Sequence, residues 1–177
     1  EKGEGLGKNS SILIGPWIAG ASMTTDGIEL DLGKGTSGYE VGVTERMIEW
    51  FNKWMKNTNE YQYAPITLFV MGKNIWRQEH EWPLARTVYK NLYLHSDGNA
   101  NTRFGDGRLN FDKPEHHEPS DVYMHNPEKP ILSQAMGKDA RKLEERPDIL
   151  VYTSEAMEAD VEVTGLLEAV LYVSSSA

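Results

Sequence analysis

Residues 12–20 read Ile-Leu-Ile-Gly-Pro-Trp-Ile-Ala-Gly, an apolar run that stops at a glycine-proline turn. The run Ile12–Ile14 has the fully apolar character of a strand that is buried on both faces in a parallel sheet. The loop after such a strand commonly carries a catalytic or binding side chain. At the tip of this turn the chain has Ala19, whose methyl group can neither accept nor donate a proton. The interpretation of the chain therefore depends on which class of protein carries this turn.

A helix is predicted downstream of the turn. Glycine-rich loop residues run from Gly20 to Gly42, and apolar residues then recur at a helical spacing up to Lys56. Thr44 is placed to cap the N-terminus, and the lysines of the last turn suit the negative C-terminal end. The apolar stripe includes Trp50 and Trp54, and its width predicts that the helix packs against a sheet.

From residue 57 on, the pattern changes to short strand-like runs separated by turns. The predicted strands are Ile66–Met71, Val88–His95, Leu109–Phe111, Asp121–His125, Ile149–Thr153, Asp160–Val163 and Leu167–Val173. Several short strands with turn signals between them favour an antiparallel β-sandwich or jelly roll. A short helical turn is predicted near Gly137–Glu145. We therefore predict a mainly β chain.

These changes of pattern predict a chain in three parts. Residues 1–58 read as the end of an α/β domain, residues 59–65 as a linker, and residues 66–177 as most of a β domain. We expect a piece of a larger protein, with strand edges that are left exposed. Exposed edges invite pairing with another chain, either a copy of this one or a neighbour.

The composition argues against several classes of function. The net charge is −9, and the lysines and arginines are scattered, whereas nucleic-acid binders usually show a basic patch. No apolar run approaches the ~20 residues of a membrane-spanning helix. The absence of cysteine excludes disulfides, Cys-ligated zinc and a thiol nucleophile. We expect no cofactor, no bound metal, no nucleic acid and no membrane partner.

Three motifs are weak matches to known sites. Gly35–Tyr39 follows the Gly-x-Ser-x-Gly pattern of a nucleophile elbow, but it fails at the last glycine and follows no strand. Residues 97–101 match the first ligand spacings of a calcium loop, without the glycine and glutamate that such a loop needs further on. His116 and His117 are adjacent, and two imidazoles without a third ligand are a weak metal signal. A loop, a polar turn and exposed histidines are the better interpretations.

The stretch Trp76–Pro83 combines two tryptophans, an arginine and two glutamates at the end of a strand. One interpretation is a structural corner, in which Arg77 pairs with a glutamate and both indoles pack between domains. The other is a rim of a substrate site.

Six stretches together carry a family resemblance. They are GPWIAG (15–20), EWFNKWMK (49–56), FVMGKNIWRQEHEWP (69–83), LYLHSDGNANT (92–102), GDGRL (105–109) and RPDILVYTSEAMEADVEVTGLLEAVLYVSSSA (146–177). In this order they resemble the CocE/NonD hydrolases, a family that includes esterases, bacterial Xaa-Pro dipeptidyl-peptidases and α-amino-acid ester hydrolases. The similarity runs over nearly the whole chain, and the final stretch is highly specific.

The resemblance implies an α/β-hydrolase catalytic domain, a helical cap and a C-terminal jelly roll, a galactose-binding-like β-sandwich. Residues 1–58 then correspond to the last strand and last helix of the catalytic domain, and residues 66–177 to most of the jelly roll. In the family, the nucleophilic serine and its acidic partner lie upstream of the part that this chain matches. The resemblance therefore implies that this chain contains neither.

The resemblance also implies a role for the turn at residues 15–20. In the family it reads Gly-Pro-Trp-x-His-Gly, and its histidine is the general base. Here Gly15, Pro16, Trp17 and Gly20 match, whereas Ala19 occupies the histidine position. Loss of such a histidine costs on the order of 10⁶-fold in turnover. An engineered inactivation, a natural pseudoenzyme and a different local alignment are the three explanations that stay open.

Two functions of different classes follow. The first is part of a serine hydrolase that cleaves a small ester or peptide through an acyl-enzyme, with a catalytic domain outside this chain supplying the nucleophile. The candidates for its substrate pocket or domain interface are Trp17, Trp76, Arg77 and Trp82. The second is a non-catalytic β-sandwich module or pseudoenzyme that binds a partner or a sugar. For this chain alone we predict no hydrolytic activity.

Overall fold

The computed structural model describes residues 10–18, 23–25, 28–59, 61–115, 117–131 and 138–176. The elements are strand β1 (Ile12–Ile14), helix α1 (Val43–Lys56), strands β2 (Ile66–Val70), β3 (Ile75–Glu79), β4 (Tyr93–His95) and β5 (Arg108–Asn110), and a 3-10 turn (Leu143–Glu145). The described part of the chain is thus β-rich, with a single α-helix. None of its helices is long and apolar enough to cross a bilayer.

Strands β1, β2 and β3 form one sheet in that order. Strand β1 pairs with β2 in parallel, which confirms the parallel pairing predicted for the first strand, and β2 pairs with β3 as an antiparallel hairpin. Because parallel neighbours need a crossover, the chain passes through α1 between β1 and β2. The predicted linker, residues 59–65, therefore belongs to the crossover between two strands of the same sheet.

The core of this sheet is apolar and lies around β2, all five residues of which are buried. Ile66 is fully buried and forms a cluster with Leu68 and Val70, against which Ile12 and Trp82 pack. Strand β3 was not predicted, because Trp76–Glu79 reads as a polar corner. It forms because Gly72 and Asn74 adopt positive φ angles and reverse the chain into a hairpin.

Helix α1 begins one residue before the predicted cap. Gly42, in a left-handed conformation, precedes Val43, so the expectation that Thr44 caps the helix was wrong. The helix ends at Lys56 and is capped by Asn57, also left-handed, whose N–H donates to the Asn52 carbonyl. Lys53 lies in the last turn, as expected.

The apolar stripe of α1 does not pack against the sheet. Met47, Ile48, Phe51, Trp54 and Met55 recur at a spacing that places them on one helix face, and all five are exposed. The prediction that this stripe is buried against a sheet was therefore wrong for the described part of the chain.

A polar side of α1 faces the sheet instead. The Arg46 guanidinium lies 4.1 Å from the centre of the Tyr63 ring and donates to Thr67 Oγ1 at 3.4 Å. Further along the helix, Lys53 Nζ lies 5.7 Å from the centre of the Tyr61 ring. These cation–π contacts join the helix to the strand region without using its apolar face.

Strands β4 and β5 pair in an antiparallel ladder. Residues 149–153 join them through isolated bridges of Leu150 with Asn101 and of Thr153 with Arg108. We call residues 93–110, together with 117–122 and 149–153, the β4–β5 module. Gly107 is required there, because a Cβ at this position would overlap the Val151 carbonyl oxygen.

Other predicted strands are absent. Residues 121–125, 160–163 and 167–173 have no strand conformation, and residues 88–92 lie outside β4. A strand-like pattern becomes a strand only when a neighbour supplies the ladder hydrogen bonds. Residues 166–173 accordingly have no regular secondary structure and are exposed.

Candidate functional site at the Trp17 turn

The turn after β1 is shaped by the Trp17 side chain. Its indole folds back over Gly15, where a Cβ would overlap the ring, and its Nε1 donates to the Thr36 carbonyl at 2.6 Å. Pro16 between them is buried. The Gly-Pro-Trp motif thus has a local reason: glycine leaves room for an indole that fastens the turn to a loop.

Trp76, on β3, fastens the same loop from the sheet. Its Nε1 donates to the Gly35 carbonyl at 2.8 Å, and its ring centre lies 6.1 Å from that of Trp17. The Phe69 ring contacts Trp76 edge-on at 5.2 Å. Two of the four predicted site residues are therefore brought together, with adjacent carbonyls of one loop as their partners.

The loop that both indoles hold is braced by the carboxylate of Glu40. It accepts hydrogen bonds from the backbone N–H groups of Gly35, Thr36 and Ser37 and from the Ser37 hydroxyl. These bonds, led by those from Ser37, lower the pKa of Glu40. Ser37 is thus engaged in bracing a loop, which agrees with interpreting Gly35–Tyr39 as a loop and not as a nucleophile elbow.

Residue 19 lies outside the described residues, as do Gly20 and His116. The structure describes the turn up to Ile18. Within that range, the chain immediately before residue 19 is held between the sheet and the 33–40 loop by Trp17.

Arg77 points to the opposite face of β3 from Trp76, because successive side chains of a strand alternate. Its guanidinium forms a two-pronged pair with Glu162, at 3.0 and 2.7 Å, and its Nε lies 2.6 Å from Glu79 Oε1. Glu79 is also paired with Arg86. The bond from Arg77 and a second one from Thr164 lower the pKa of Glu162 to about 2.

Trp82 lies on the same face as Arg77 and packs against the cluster of Ile66, Leu68 and Val70. The four candidates therefore separate into two pairs on opposite faces of the sheet. Trp17 and Trp76 lie beside the turn, whereas Arg77 pairs with Glu162 and Trp82 packs against the apolar cluster. The stretch Trp76–Pro83 was interpreted from its sequence either as a structural corner or as a rim of a substrate site. In the structure its side chains lie on both faces of the sheet.

The motif at residues 97–101 has a structural use. Asn101 donates from its amide to the carbonyls of Val122 and Pro147, at 3.0 and 2.9 Å, so it joins three segments of the chain. Asn99 donates to the Asp106 carboxylate. Among the described residues, no group of three acidic or histidine side chains is arranged to hold a metal ion.

Sequence reasoning missed a buried polar network in the β4–β5 module. Asp121 accepts from the hydroxyls of Ser96 and Tyr152 and from the Ala100 N–H, at 2.6 to 2.7 Å. Burial alone would raise the pKa of Asp121, but these three bonds outweigh burial and lower it. Burial and the bond to Asp121 raise the pKa of Tyr152. The sequence signal that could have indicated this network is the polar pair His95-Ser96, which follows the apolar residues of a strand.

Comparison with known proteins identifies the class of protein to which this chain belongs. Residues 52–177 match the family described as the X-Pro dipeptidyl-peptidase C-terminal non-catalytic domain. The chain is also 31% identical over 181 residues to cocaine esterase from Rhodococcus sp. (strain MB1 Bresler), which covers 96% of this chain and 31% of that protein. The chain thus spans about a third of the length of the curated relative it matches. It belongs to the CocE/NonD hydrolase family, and it corresponds mainly to the C-terminal domain of that family.

Proposed function

We propose that this chain is the largely non-catalytic C-terminal part of a serine hydrolase that cleaves an ester or an Xaa-Pro amide through an acyl-enzyme. A serine nucleophile, its acidic partner and the oxyanion-binding groups come from a catalytic part outside this chain. The family match over residues 52–177 supports the non-catalytic role. The likeness to cocaine esterase supports the class of reaction.

The exposed apolar face of α1 is the observation that carries this proposal. Its five large side chains are exposed, whereas Arg46 and Lys53 on another side of the helix contact Tyr63 and Tyr61. A contiguous exposed apolar patch of this kind marks an interface in a soluble protein. The remaining helices and sheet of an α/β-hydrolase domain cover it in the intact enzyme.

The proposed division of the chain is residues 1–58 for the end of the α/β-hydrolase domain, residues 59–65 for a linker and residues 66–177 for the jelly roll. The family match over residues 52–177 supports the extent of the C-terminal part. Strand β1 then pairs with β2 across the proposed boundary. The exposed run Leu166–Val173 forms one of the strands of the jelly roll once an edge partner is present, either from the same protein or from a second copy.

The two pairs of candidate residues have different proposed roles. Trp17 and Trp76 wall the substrate site, because they position the chain directly before residue 19. Arg77 and Trp82 belong to the domain interface, since Trp82 packs against the cluster that Ile12 of the first part also contacts. Ala19 stands at the general-base position and supplies no proton acceptor.

Labelling with a fluorophosphonate probe tests the non-catalytic role. The purified 177-residue chain remains unlabelled, because it contains no serine activated by a base and an oxyanion site. A known serine esterase serves as the positive control. Covalent labelling of any serine in this chain contradicts the proposal.

Co-expression with the part of cocaine esterase that this chain does not match tests the interface. The two parts associate, and Trp54→Asp weakens the association by at least about tenfold, because it places a charge in a buried apolar face. Tyr39→Asp is the matched control, since Tyr39 is exposed but lies outside α1. Failure to associate, or equal effects of the two changes, contradicts the proposed interface.

The same complex tests the assignment of residue 19. With Ala19 it hydrolyses an activated ester at the background rate, and Ala19→His raises turnover by several orders of magnitude, as expected for restoring a triad base. Equal rates with alanine and histidine contradict the general-base assignment. That result leaves the association of the two parts, measured separately, as an independent test of the domain proposal.

A further inference from the structure

The loop at residues 33–40 presents two neighbouring carbonyl groups to the two indoles of the candidate site. Trp76 Nε1 donates to the Gly35 carbonyl at 2.8 Å. Trp17 Nε1 donates to the Thr36 carbonyl at 2.6 Å, and Thr36 is buried. The positions of both indoles therefore depend on how these two carbonyls are aimed.

Glu40 closes a capping box at the end of this loop. Ser37 Oγ accepts the Glu40 N–H at 3.2 Å, and Glu40 Oε2 accepts the Ser37 N–H at 3.1 Å. This reciprocal pair is the Ser-x-x-Glu arrangement that begins a helical turn. The Val41 N–H accordingly donates to the Ser37 carbonyl at 3.1 Å. The box holds the carboxylate against the backbone of the loop.

The same carboxylate reaches back along the loop. Its Oε2 also accepts the Thr36 N–H at 3.2 Å, and its Oε1 accepts the Gly35 N–H at 3.2 Å. Three consecutive backbone N–H groups, of residues 35, 36 and 37, therefore point at one carboxylate. Such a concave row of N–H groups is a binding site for an anion, and here the anion is the side chain of Glu40.

The planarity of the peptide group links the carboxylate to the indoles. In a trans peptide, the carbonyl of one residue and the N–H of the next lie in one plane and point in opposite directions, and both peptide groups of Thr36 are trans. The Gly35 carbonyl shares a peptide group with the Thr36 N–H, and the Thr36 carbonyl shares one with the Ser37 N–H. Because Glu40 holds both N–H groups on one side, it aims both carbonyls to the other side, where the two indoles donate to them.

The local backbone of the loop does not impose this arrangement by itself. The Thr36 hydroxyl donates to the Gly33 carbonyl at 3.2 Å, a bond that uses neither peptide group of Thr36. Gly33 and Gly35 have positive φ angles of 76° and 72°, and glycine has the largest conformational freedom of all residues. The aim of the two carbonyls therefore depends on the contacts that Glu40 makes.

We propose that Glu40 is a positioning residue for the substrate site: acting through the two peptide groups of Thr36, its carboxylate holds the indoles of Trp17 and Trp76 beside the turn at residues 15–18. The consequence for turnover rests on the proposed function, in which these indoles wall the substrate site. The chain of hydrogen bonds itself lies within the described residues. Its sequence signal is the Ser-x-x-Glu spacing of residues 37–40.

Exchange of the two indole N–H protons, followed by nitrogen-15 NMR on the full chain, tests the positioning. In Glu40→Ala both protons exchange at least about tenfold faster, because the carbonyls lose their fixed aim, whereas the amides of β2 keep their protection. Glu40→Gln keeps most of the indole protection, because its amide oxygen can take the place of Oε2 and accept the same two N–H groups. Glu45→Ala is the matched control: it removes an equal charge from an exposed residue nearby and leaves both indole protons unchanged.

Three results overturn the positioning role. Unchanged indole exchange in Glu40→Ala shows that ring packing holds the indoles without the carboxylate. Equally faster exchange in β2 shows a global loss of stability in place of a local one. Equal losses in Glu40→Ala and Glu40→Gln show that the charge of Glu40, and not its hydrogen bonds, is responsible.

Turnover tests the consequence for the substrate site separately. In the co-expressed complex that carries Ala19→His, Glu40→Ala lowers kcat by at least about tenfold, since a displacement of about 1 Å can cost ~100-fold in rate, and Glu45→Ala leaves kcat unchanged. An unchanged kcat in Glu40→Ala overturns the role in the substrate site. If Ala19→His itself gives no turnover, the general-base assignment fails, and indole exchange still decides whether Glu40 positions the two rings.

Discussion

The three-stranded sheet and the β4–β5 module are both small β structures, but they are held together by different interactions. In the sheet, the buried residues of β2 and the Trp82 ring form an apolar cluster. In the β4–β5 module, Ala100 is the one core apolar residue, and His95 and Ser96 are the buried side chains that carry its hydrogen-bond networks. Burial of apolar area is insensitive to pH, whereas charged hydrogen bonds depend on it. The two regions should therefore respond differently to truncation of a side chain and to a change of pH.

The largest expected effect comes from the sheet core. Ile66→Ala lowers the free energy of unfolding by roughly 2–5 kcal/mol, because it removes buried methyl groups and leaves a cavity. Chemical denaturation of the isolated chain measures it. Ile75→Ala on the neighbouring strand is the control, since Ile75 is exposed, and it costs less than ~1 kcal/mol. Equal costs would show that β2 is not the core of this region.

The polar network of the β4–β5 module comes next. Asp121→Ala leaves the Ser96 and Tyr152 hydroxyls and the Ala100 N–H without their acceptor, and it costs roughly 1–3 kcal/mol. Hydrogen exchange in β4 and β5 shows the loss locally. Asp160→Ala, at an exposed aspartate, changes the free energy of unfolding by less than ~0.5 kcal/mol. If protection falls in the sheet instead, the two regions are not separately stabilised.

A smaller effect is expected at the paired tryptophans. Trp76→Phe keeps an aromatic ring against Phe69 but removes the donor to the Gly35 carbonyl, which costs about 1 kcal/mol. Faster exchange of the amides in residues 33–40 reports the loosened loop. Trp54→Phe, on the exposed face of α1, leaves these amides unchanged. An unchanged loop in Trp76→Phe would show that Trp17 holds it alone.

The smallest effect is expected at the ion pair of Arg77 with Glu162. Arg77→Lys cannot form the two-pronged contact, and partly exposed pairs of this kind contribute ~0.2–1 kcal/mol. Faster exchange in residues 160–165 measures it, and Arg141→Lys, in a pair with the nearby Asp139, is the control. The contact stabilises at pH values above the unfolded glutamate pKa, about 4.3, and is lost as the pH falls through the folded value of about 2. Acid should thus release this segment.

The accuracy of the sequence-based predictions differed between these regions for physical reasons. Strand β1, helix α1 and β2 were predicted because their apolar residues show a period or an unbroken run. Strand β3 was missed because its side chains serve two different faces, with Trp76 on one and Arg77 on the other. The runs at residues 121–125 and 167–173 were predicted as strands from local pattern, although strand formation requires a neighbouring chain segment.

The candidate site was predicted in its residues but not in its arrangement. Trp17 and Trp76 were both named from sequence, yet nothing in their spacing indicated that they hold adjacent carbonyls of one loop. Arg77 was expected to pair with a glutamate, and its partners are Glu79, nearby in sequence, and Glu162, which no local pattern could identify. The role of Ala19 remains a prediction from the family resemblance.

By itself, the sequence determined the family, the helix and first parallel strand, and the residue types available for chemistry, because these depend on local pattern and on motifs that run along the chain. The tertiary structure alone decided which face of α1 is left exposed, which side chains share a face of the sheet, and that one carboxylate, that of Asp121, accepts hydrogen bonds from Ser96, Ala100 and Tyr152. Such features arise between residues far apart in sequence, where the geometry of packing and the number of donors and acceptors decide which contacts can form.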